Sequence, residues 1–288
     1  MNPRVISWNV NGIRSRIFND TIGSKLPKNK DIVIQENSPI TEILKYNPDI
    51  ICFQETRCNK EFGEKHIKIP GYNSFFNESQ EDGARGCDRY SGTCIFYKED
   101  LVPISIKTQI QGYDDKEGRI IIMEFEHFKI ITVYAPNSGT NYEKKIEFIV
   151  AVLQFLKLNS EKFTIFCGDM NIAVDTHCYP SFTKKETPAL YPHEIDFWTQ
   201  LKNINFLDTI KCNIIYTWWD PRQRKENGMS VCRNRNRGWR LDYFFINEKT
   251  NHYSSRCLKY IGENNQGIPL ASDHGVIILE TNAGAGTS

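Results

Sequence analysis

The side chains in this sequence best suited to chemistry lie at the ends of its apolar runs. Ser7-Trp8-Asn9-Val10-Asn11-Gly12 closes the first run, and Gln54-Glu55-Thr56-Arg57 closes the second. Tyr134-Ala135-Pro136-Asn137-Ser138-Gly139, Gly168-Asp169-Met170-Asn171, Leu241-Asp242-Tyr243 and Ser272-Asp273-His274-Gly275 border four more. Asn, Asp and Gly beside a strand are common turn formers, so any one cluster is ordinary. Six clusters that all supply carboxylate, amide, imidazole or phenol groups point instead to one shared site. Oxygen donors of this kind suit a hard divalent cation, Mg²⁺ above all, with Mn²⁺ as a substitute. A soft-metal site would need cysteines or grouped histidines, and the 6 histidines are scattered.

Only a particular arrangement of strands can bring those ends together. Runs rich in Ile, Val, Phe and Tyr predict strands over 4–8, 49–54, 92–97, 101–108, 119–125, 128–134, 163–168, 243–246 and 275–280. Helical spacing of apolar residues predicts helices over 40–46, 141–158 and 192–203, the last beginning at Pro192. Short polar links such as Glu126-His127 suit antiparallel pairing of 101–108, 119–125 and 128–134. Strands and helices mixed in this way predict an α/β fold, a four-layer αββα sandwich of two packed mixed or antiparallel sheets flanked by helices. One domain is expected over 1–282, with 14–39 and 77–91 as surface insertions and 283–288 as a disordered tail.

Composition narrows the partners. With 288 residues, 40% hydrophobic and 25% charged, the chain can bury a substantial core and is no disordered polymer. No uncharged apolar run approaches the ~20 residues of a membrane span, and no secretory leader precedes the first strand, so an intracellular location (nucleus or cytoplasm) is expected. The 9 cysteines include no C-x-x-C pair and mostly sit in apolar strands, which predicts reduced core thiols. A net charge of +1 leaves no overall basic footprint. One stretch departs from that balance: Arg222, Arg224, Lys225, Arg233, Arg235, Arg237 and Arg240 face a lone acid, Glu226. By composition this stretch is equally a solvated loop or a polyanion contact.

Taken in order, SWNVNGIR (7–14), IICFQETR (50–57), YSGTCIFYK (90–98), EGRI (117–120), VYAPNSG (133–139), GDMNIA (168–173), YTWW (216–219), GWRLDYF (238–244) and SDHG (272–275) resemble the motifs of the exodeoxyribonuclease III-type apurinic/apyrimidinic (AP) endonucleases. GDMN and SDH are shared with the wider DNase I-like superfamily of nucleases and phosphatases. GWRLDYF with YTWW is narrower and resembles the DNA-repair branch. The resemblance implies Mg²⁺-dependent hydrolysis of the phosphodiester 5′ to abasic sites in duplex DNA, leaving a 3′-OH. It also implies some 3′–5′ exonuclease or 3′-phosphodiesterase activity. The expected partner is double-stranded DNA carrying abasic sites, for a protein acting as a monomer without a membrane.

The same resemblance distributes roles. Glu55 is the expected principal metal ligand, with Asn9 and Asp273 assisting and Asn11 nearby; Asp169, Asn171 and His274 complete the metal surroundings. Asp169 orients or deprotonates the attacking water, and Asn171 holds a phosphate oxygen. Asp242 fixes the tautomer of His274, which binds the scissile phosphate, and Tyr134 bonds the same phosphate or assists the leaving oxygen. Asp169 and His274 can each be written as the general base. Trp218, Trp239 and Leu241 wall a small apolar pocket for an extruded baseless sugar. Arg57, Asn137 and Arg119, with Arg237 and others of the Arg233–Arg240 run, face the DNA.

Some positions depart from the family pattern. Asn11 stands where many members have Asp, which predicts activity with weaker metal retention. Thr140 stands where vertebrate relatives carry an Arg that enters the DNA. Two rival readings are a phosphatase of the same fold acting on lipid or inositol phosphates, and a silent DNA-binding module. The first lacks GWRLDYF and the Arg run, and the second expects a broken acidic set.

Overall fold

The computed structural model describes residues 2–17, 34, 38–80, 90–174, 178–180, 183, 186–210, 216–222, 225–226, 229–247, 253–258 and 272–281. Most of the two expected insertions, including Arg85 and Arg89, and the whole 283–288 tail lie outside the described residues.

The chain runs through β1 (Val5–Asn9), α1 (Arg14–Ile17), α2 (Pro39–Leu44), β2 (Ile50–Gln54), α3 (Lys60–His66), β3 (Tyr72–Asn77) and β4 (Thr93–Lys98). It continues through β5 (Ser105–Lys107), β6 (Ile120–Glu124), β7 (Lys129–Tyr134), α4 (Tyr142–Leu158), β8 (Thr164–Asp169), α5 (Pro192–Asn203) and β9 (Leu207–Asp208). The last described elements are β10 (Lys225–Glu226), β11 (Met229–Ser230), α6 (Val231–Asn234), β12 (Asp242–Ile246), β13 (Tyr253–Leu258) and β14 (Val276–Thr281). Helices begin where the sequence supplies caps: Ser38 accepts from the Thr41 N–H, Asn59 from Phe62 and Asn141 from Lys144.

Two six-stranded sheets result, ordered β13-β14-β1-β2-β4-β3 and β5-β6-β7-β8-β12-β9. Only β1/β2 and β7/β8 pair in parallel within them; the other pairings are antiparallel, including the expected β5-β6-β7 meander. Three apolar layers hold the assembly. Val5, Ile50, Cys52, Ile121, Ile130, Ile165, Phe244, Ile277 and Leu279 fill the space between the sheets. Ile6, Trp8, Ile51 and Phe53 face α2 and α3, whereas Ile131, Phe166, Tyr243 and Phe245 face α4 and α5. The expected four-layer sandwich is therefore what forms.

Strand periodicity decides where the polar ends go. Successive side chains alternate faces, so residues two apart share one. Val5 and Ile165 point between the sheets, and by the same parity so do Asn9 and Asp169. Ile130 and Tyr134 share a face, as do Asp242 and Phe244. Register then aligns them: Tyr134 and Asp242 both sit opposite Asp169. Just below, Gln54 on β2 donates to Ser7 Oγ at 3.0 Å and to Thr132 Oγ1 on the other sheet at 2.9 Å, a polar layer between the apolar core and the rim.

The run expected over 101–108 shortens to β5, and β3, β13 and α3 had no counterpart in the sequence reading. Both missed six-residue strands are sheet edges. An edge strand packs less completely, so YNSFFN and YSSRCL mix polar with apolar residues and lose the continuous apolar signature. Cys52, Cys58, Cys94, Cys167 and Cys178 are buried free thiols, as expected.

Candidate active site

At the rim, the Asn9 amide nitrogen donates to Glu55 Oε1 and to Asp169 Oδ2, both at 2.9 Å, while its oxygen accepts the Asn11 N–H. Asn9 thus turns its nitrogen, not its oxygen, toward the two carboxylates. Glu55, Asp169 and His274 offer ligand atoms lying within 4.8 Å of one another, the metal-compatible group found among the described residues. The two carboxylates are hard oxygen donors, which fit a divalent cation, with the imidazole beside them. Asp273 faces the same cleft but stands outside that group, accepting from Asn11 Nδ2 at 2.8 Å and Trp218 Nε1 at 2.9 Å.

Behind Asp169 lies His274, with Nε2 3.8 Å from Asp169 Oδ2 and Nδ1 2.9 Å from Asp242 Oδ2. Burial opposes charge on this imidazole, but the Asp242 and Asp169 carboxylates outweigh it and carry His274 up to about 10. Burial likewise lifts Asp169 to about 7, with the His274 cation opposing and Asp242 adding to the rise. The Tyr134 phenol is pushed up by burial and by Glu55, so it remains a proton donor.

A cleft of about 730 Å³ opens over these groups. Glu55, Tyr134, Asp169, Asn171, Asp273 and His274 form its floor, and Asn137 and Arg237 also line it. One wall carries Trp218, Trp239 and Leu241, which pack with Ala173 and Leu190. Trp218 pairs with both Trp239 and His274 as isolated backbone bridges, so this wall and the SDHG loop are stitched together. Asn171 is held at the other side: its nitrogen reaches the Ala135 carbonyl at 3.0 Å and its backbone N–H reaches Asp169 Oδ1 at 2.9 Å.

The basic stretch divides in two. Arg235 and Arg237 are exposed. Arg233 is 5% exposed; its fork donates to the Ser272 and His274 carbonyls at 2.8 and 3.1 Å, and its plane lies over Trp219. Arg240 is buried too, bound through one nitrogen to both oxygens of Asp208 and stacked on Tyr243. These two arginines bond within the protein, which leaves Arg235 and Arg237 as the exposed arginines between Arg233 and Arg240. Arg119 also turns inward, bonding Glu117 Oε2 and the Tyr134 carbonyl with its guanidinium 4.7 Å from the Tyr134 ring centre. Arg57 is half-exposed and pairs with Glu55 Oε2 at 2.6 Å. In each inward case a guanidinium has found buried acceptors that fix its geometry, which no count of basic residues can reveal.

Residues 6–274 match the Endonuclease/Exonuclease/phosphatase family. The chain belongs to that family. Among curated family relatives, it is 28% identical to an exodeoxyribonuclease of Bacillus subtilis over 85% of this chain and 88% of the relative. It is 31% identical to recombination repair protein 1 of Drosophila melanogaster, over 86% of this chain and 33% of that longer protein. A solved AP endonuclease of Archaeoglobus fulgidus superposes with a TM-score of 0.71 at 21% identity, covering 98% of this chain and all of the other, and so shares the fold. The resemblance read from the motifs is borne out.

Sequence reasoning passed over a buried polar cluster beneath the floor: Lys145, Glu194 and Ser138. One signal was available. Lys145 lies three and four residues before Phe148 and Ile149, on the apolar stripe of α4, where a lysine needs a buried partner. No helix among the described residues is long and apolar enough to cross a membrane.

Proposed function

We propose that the protein is a metal-dependent DNA-repair nuclease that hydrolyses the phosphodiester 5′ to an abasic site in duplex DNA, leaving a 3′-OH. The observation that carries this reading is the juxtaposition of the Glu55–Asp169–His274 group with an aromatic-walled cleft. Relatives named exodeoxyribonuclease, and a fold neighbour named AP endonuclease, support it. Glu55 and Asp169, with Asp273 close by, would hold the cation, for which Mg²⁺ is the natural choice and Mn²⁺ the substitute. When bound, it supplies Lewis-acid stabilisation of charge developing on the phosphoryl oxygens.

The chain's own groups divide the remaining work. His274, flanked by Asp242 and Asp169, is held as a cation whose Nε2–H faces the floor and can bind a non-bridging phosphate oxygen. A proton-bearing imidazolium is a donor, which leaves Asp169 as the group that orients water and accepts its proton. Asn171 and Tyr134 donate to the same phosphate, and Tyr134 stands ready for the leaving 3′ oxygen. Water oxygen bonds to phosphorus as the bond to the 3′ oxygen breaks, giving a 3′-OH and a 5′-phosphate on the baseless sugar. Trp218, Trp239 and Leu241 receive that sugar, and exposed Arg235 and Arg237 meet the DNA backbone.

The test is a Mg²⁺-dependent digest of duplex DNA carrying one abasic analogue, with end-group analysis and a phosphoinositide as competing substrate. Incision immediately 5′ to the analogue, ending in 3′-OH, is expected. Phosphoinositide hydrolysis without DNA incision refutes the proposal.

A further inference from the structure

Lys145 and Glu194 are fully buried, 0% exposed, and 3.8 Å apart, yet neither borders the cleft. A buried ion pair is costly to desolvate, and an apolar pair of similar volume often serves stability as well or better. Its presence beneath the cleft floor therefore calls for a reason other than holding the fold.

The bonds it makes supply one. The Lys145 ammonium, on α4, donates to the Met170 carbonyl and, at 3.4 Å, to the Asn171 carbonyl. Those are the two residues after Asp169 at the end of β8. Glu194, near the start of α5, accepts from the Ser138 hydroxyl through Oε1 and from the Tyr191 N–H through Oε2 at 2.9 Å. Ser138 follows Asn137, whose amide nitrogen reaches Asn171 Oδ1 at 3.4 Å on the cleft side. One charge pair thus ties α4, α5 and the two loops that carry Asn137, Asp169 and Asn171. Carbonyl bonds to a fixed ammonium constrain where a loop sits more tightly than apolar packing does, because both distance and direction count.

We propose that Lys145 is a positioning residue for the nuclease reaction, acting with Glu194 to lock the 137–139 and 169–171 loops into one unit beneath the scissile phosphate. The inference rests on the nuclease reading of the site. It accounts for a lysine on the apolar stripe of α4, and for a glutamate that bonds Ser138 as well as the backbone at the start of α5.

The experiment compares wild type with Lys145→Met and with the pair Lys145→Met/Glu194→Gln. The single change strands a buried carboxylate and should lower Tm. The paired change removes both charges, and glutamine can turn its oxygen to Tyr191 and its amide to Ser138, so Tm should recover toward wild type. Turnover should not recover. With the loops released, kcat for abasic incision is expected to fall about 100-fold, the scale of an ångström-sized misplacement. Binding of the same duplex in EDTA should stay within about threefold, since the exposed arginines that meet the DNA backbone are untouched. A paired variant with kcat within about tenfold of wild type overturns the inference, as does one whose binding falls as far as its turnover. Wild-type protein without nuclease activity would overturn the proposed function itself, and this inference with it.

Discussion

Replacing Trp239 with alanine probes whether the aromatic wall selects the substrate or merely completes the core. The backbone of Trp239 should survive the change. Its N–H donates to the Trp218 carbonyl, and its own carbonyl accepts from Thr217 and Trp218, all at 2.8 Å. The side chain is half-buried and tilts against Tyr179 with ring centres 5.9 Å apart, so truncation removes one cleft face and one aromatic neighbour. Full burial of a large apolar side chain contributes up to about 3 kcal/mol, and a sugar covering half of the indole would draw on about 1.5 kcal/mol. That corresponds to about a tenfold fall in kcat/KM for abasic incision. Removal of an undamaged 3′ nucleotide should fall less, because a bulkier nucleotide can enter the widened cleft. The assay is the ratio of abasic incision to 3′-exonuclease rate for both proteins, at one salt and one Mg²⁺ concentration. A ratio that holds steady while Tm drops would identify Trp239 as a core residue and refute the pocket.

Three further outcomes are expected. Asp169→Asn and Glu55→Ala should each lower incision by roughly 100-fold or more at saturating Mg²⁺ with circular dichroism unchanged, and near-normal turnover in either would remove it from the site. Arg235→Gln/Arg237→Gln should weaken binding to every duplex and reduce the slope of log affinity against log salt by about 0.9 per lost phosphate contact, while Arg233→Gln should lower Tm; equal Tm losses in all three positions would contradict the split between outward and inward arginines. Burial lifts Asp115 to about 6 although its oxygens accept the Glu117, Arg119 and Ile120 N–H groups. Folded protein then holds a proton that the unfolded chain has already released, so this group lowers stability as pH rises from about 4 to about 6. Asp115→Asn should flatten that part of the profile, by on the order of 2–3 kcal/mol, in denaturant titrations across pH 4–7.

The layers and the location of the site could be read from the sequence because both follow from local patterns. Short continuous apolar runs such as Ile50–Phe53, rich in Ile and Phe and bounded by polar clusters, read as strands covered on both faces, and the polar residues that end them then collect at a rim. Period two does the rest: Asp169 falls between the sheets because Ile165 and Cys167 do. Charge partners were not legible in the same way. Arg233 and Arg237 are four residues apart in one basic run, yet one bonds the carbonyls around Asp273 and the other lines the cleft. Arg233 turns inward because its acceptors lie about 40 residues further along the chain, and composition carries no record of them.

Backbone conformation at the floor was equally hidden, and it bears on how the site keeps its shape. Asn11, Glu55, Arg57 and Asn171 all adopt the left-handed region, with φ of 47°, 50°, 49° and 47°. For a side-chain-bearing residue such a conformation costs on the order of 1–3 kcal/mol and persists only where neighbours over-determine it. They do so here. The Glu55 carbonyl accepts from the Gly12 N–H, the Thr56 carbonyl accepts from Ile13 while its N–H donates to the Gly92 carbonyl, and the Arg57 N–H donates to the Ser91 carbonyl. At the opposite side Gly168 has φ of 132°, where a Cβ would meet the Val133 carbonyl oxygen, so β8 lies against β7 just before Asp169 only because position 168 is glycine. The backbone that carries Glu55 and Asp169 is thus held by its own hydrogen bonds and close contacts. On the proposed nuclease reading, a floor fixed in this way needs little reorganisation to meet the charge that develops on a bound phosphate.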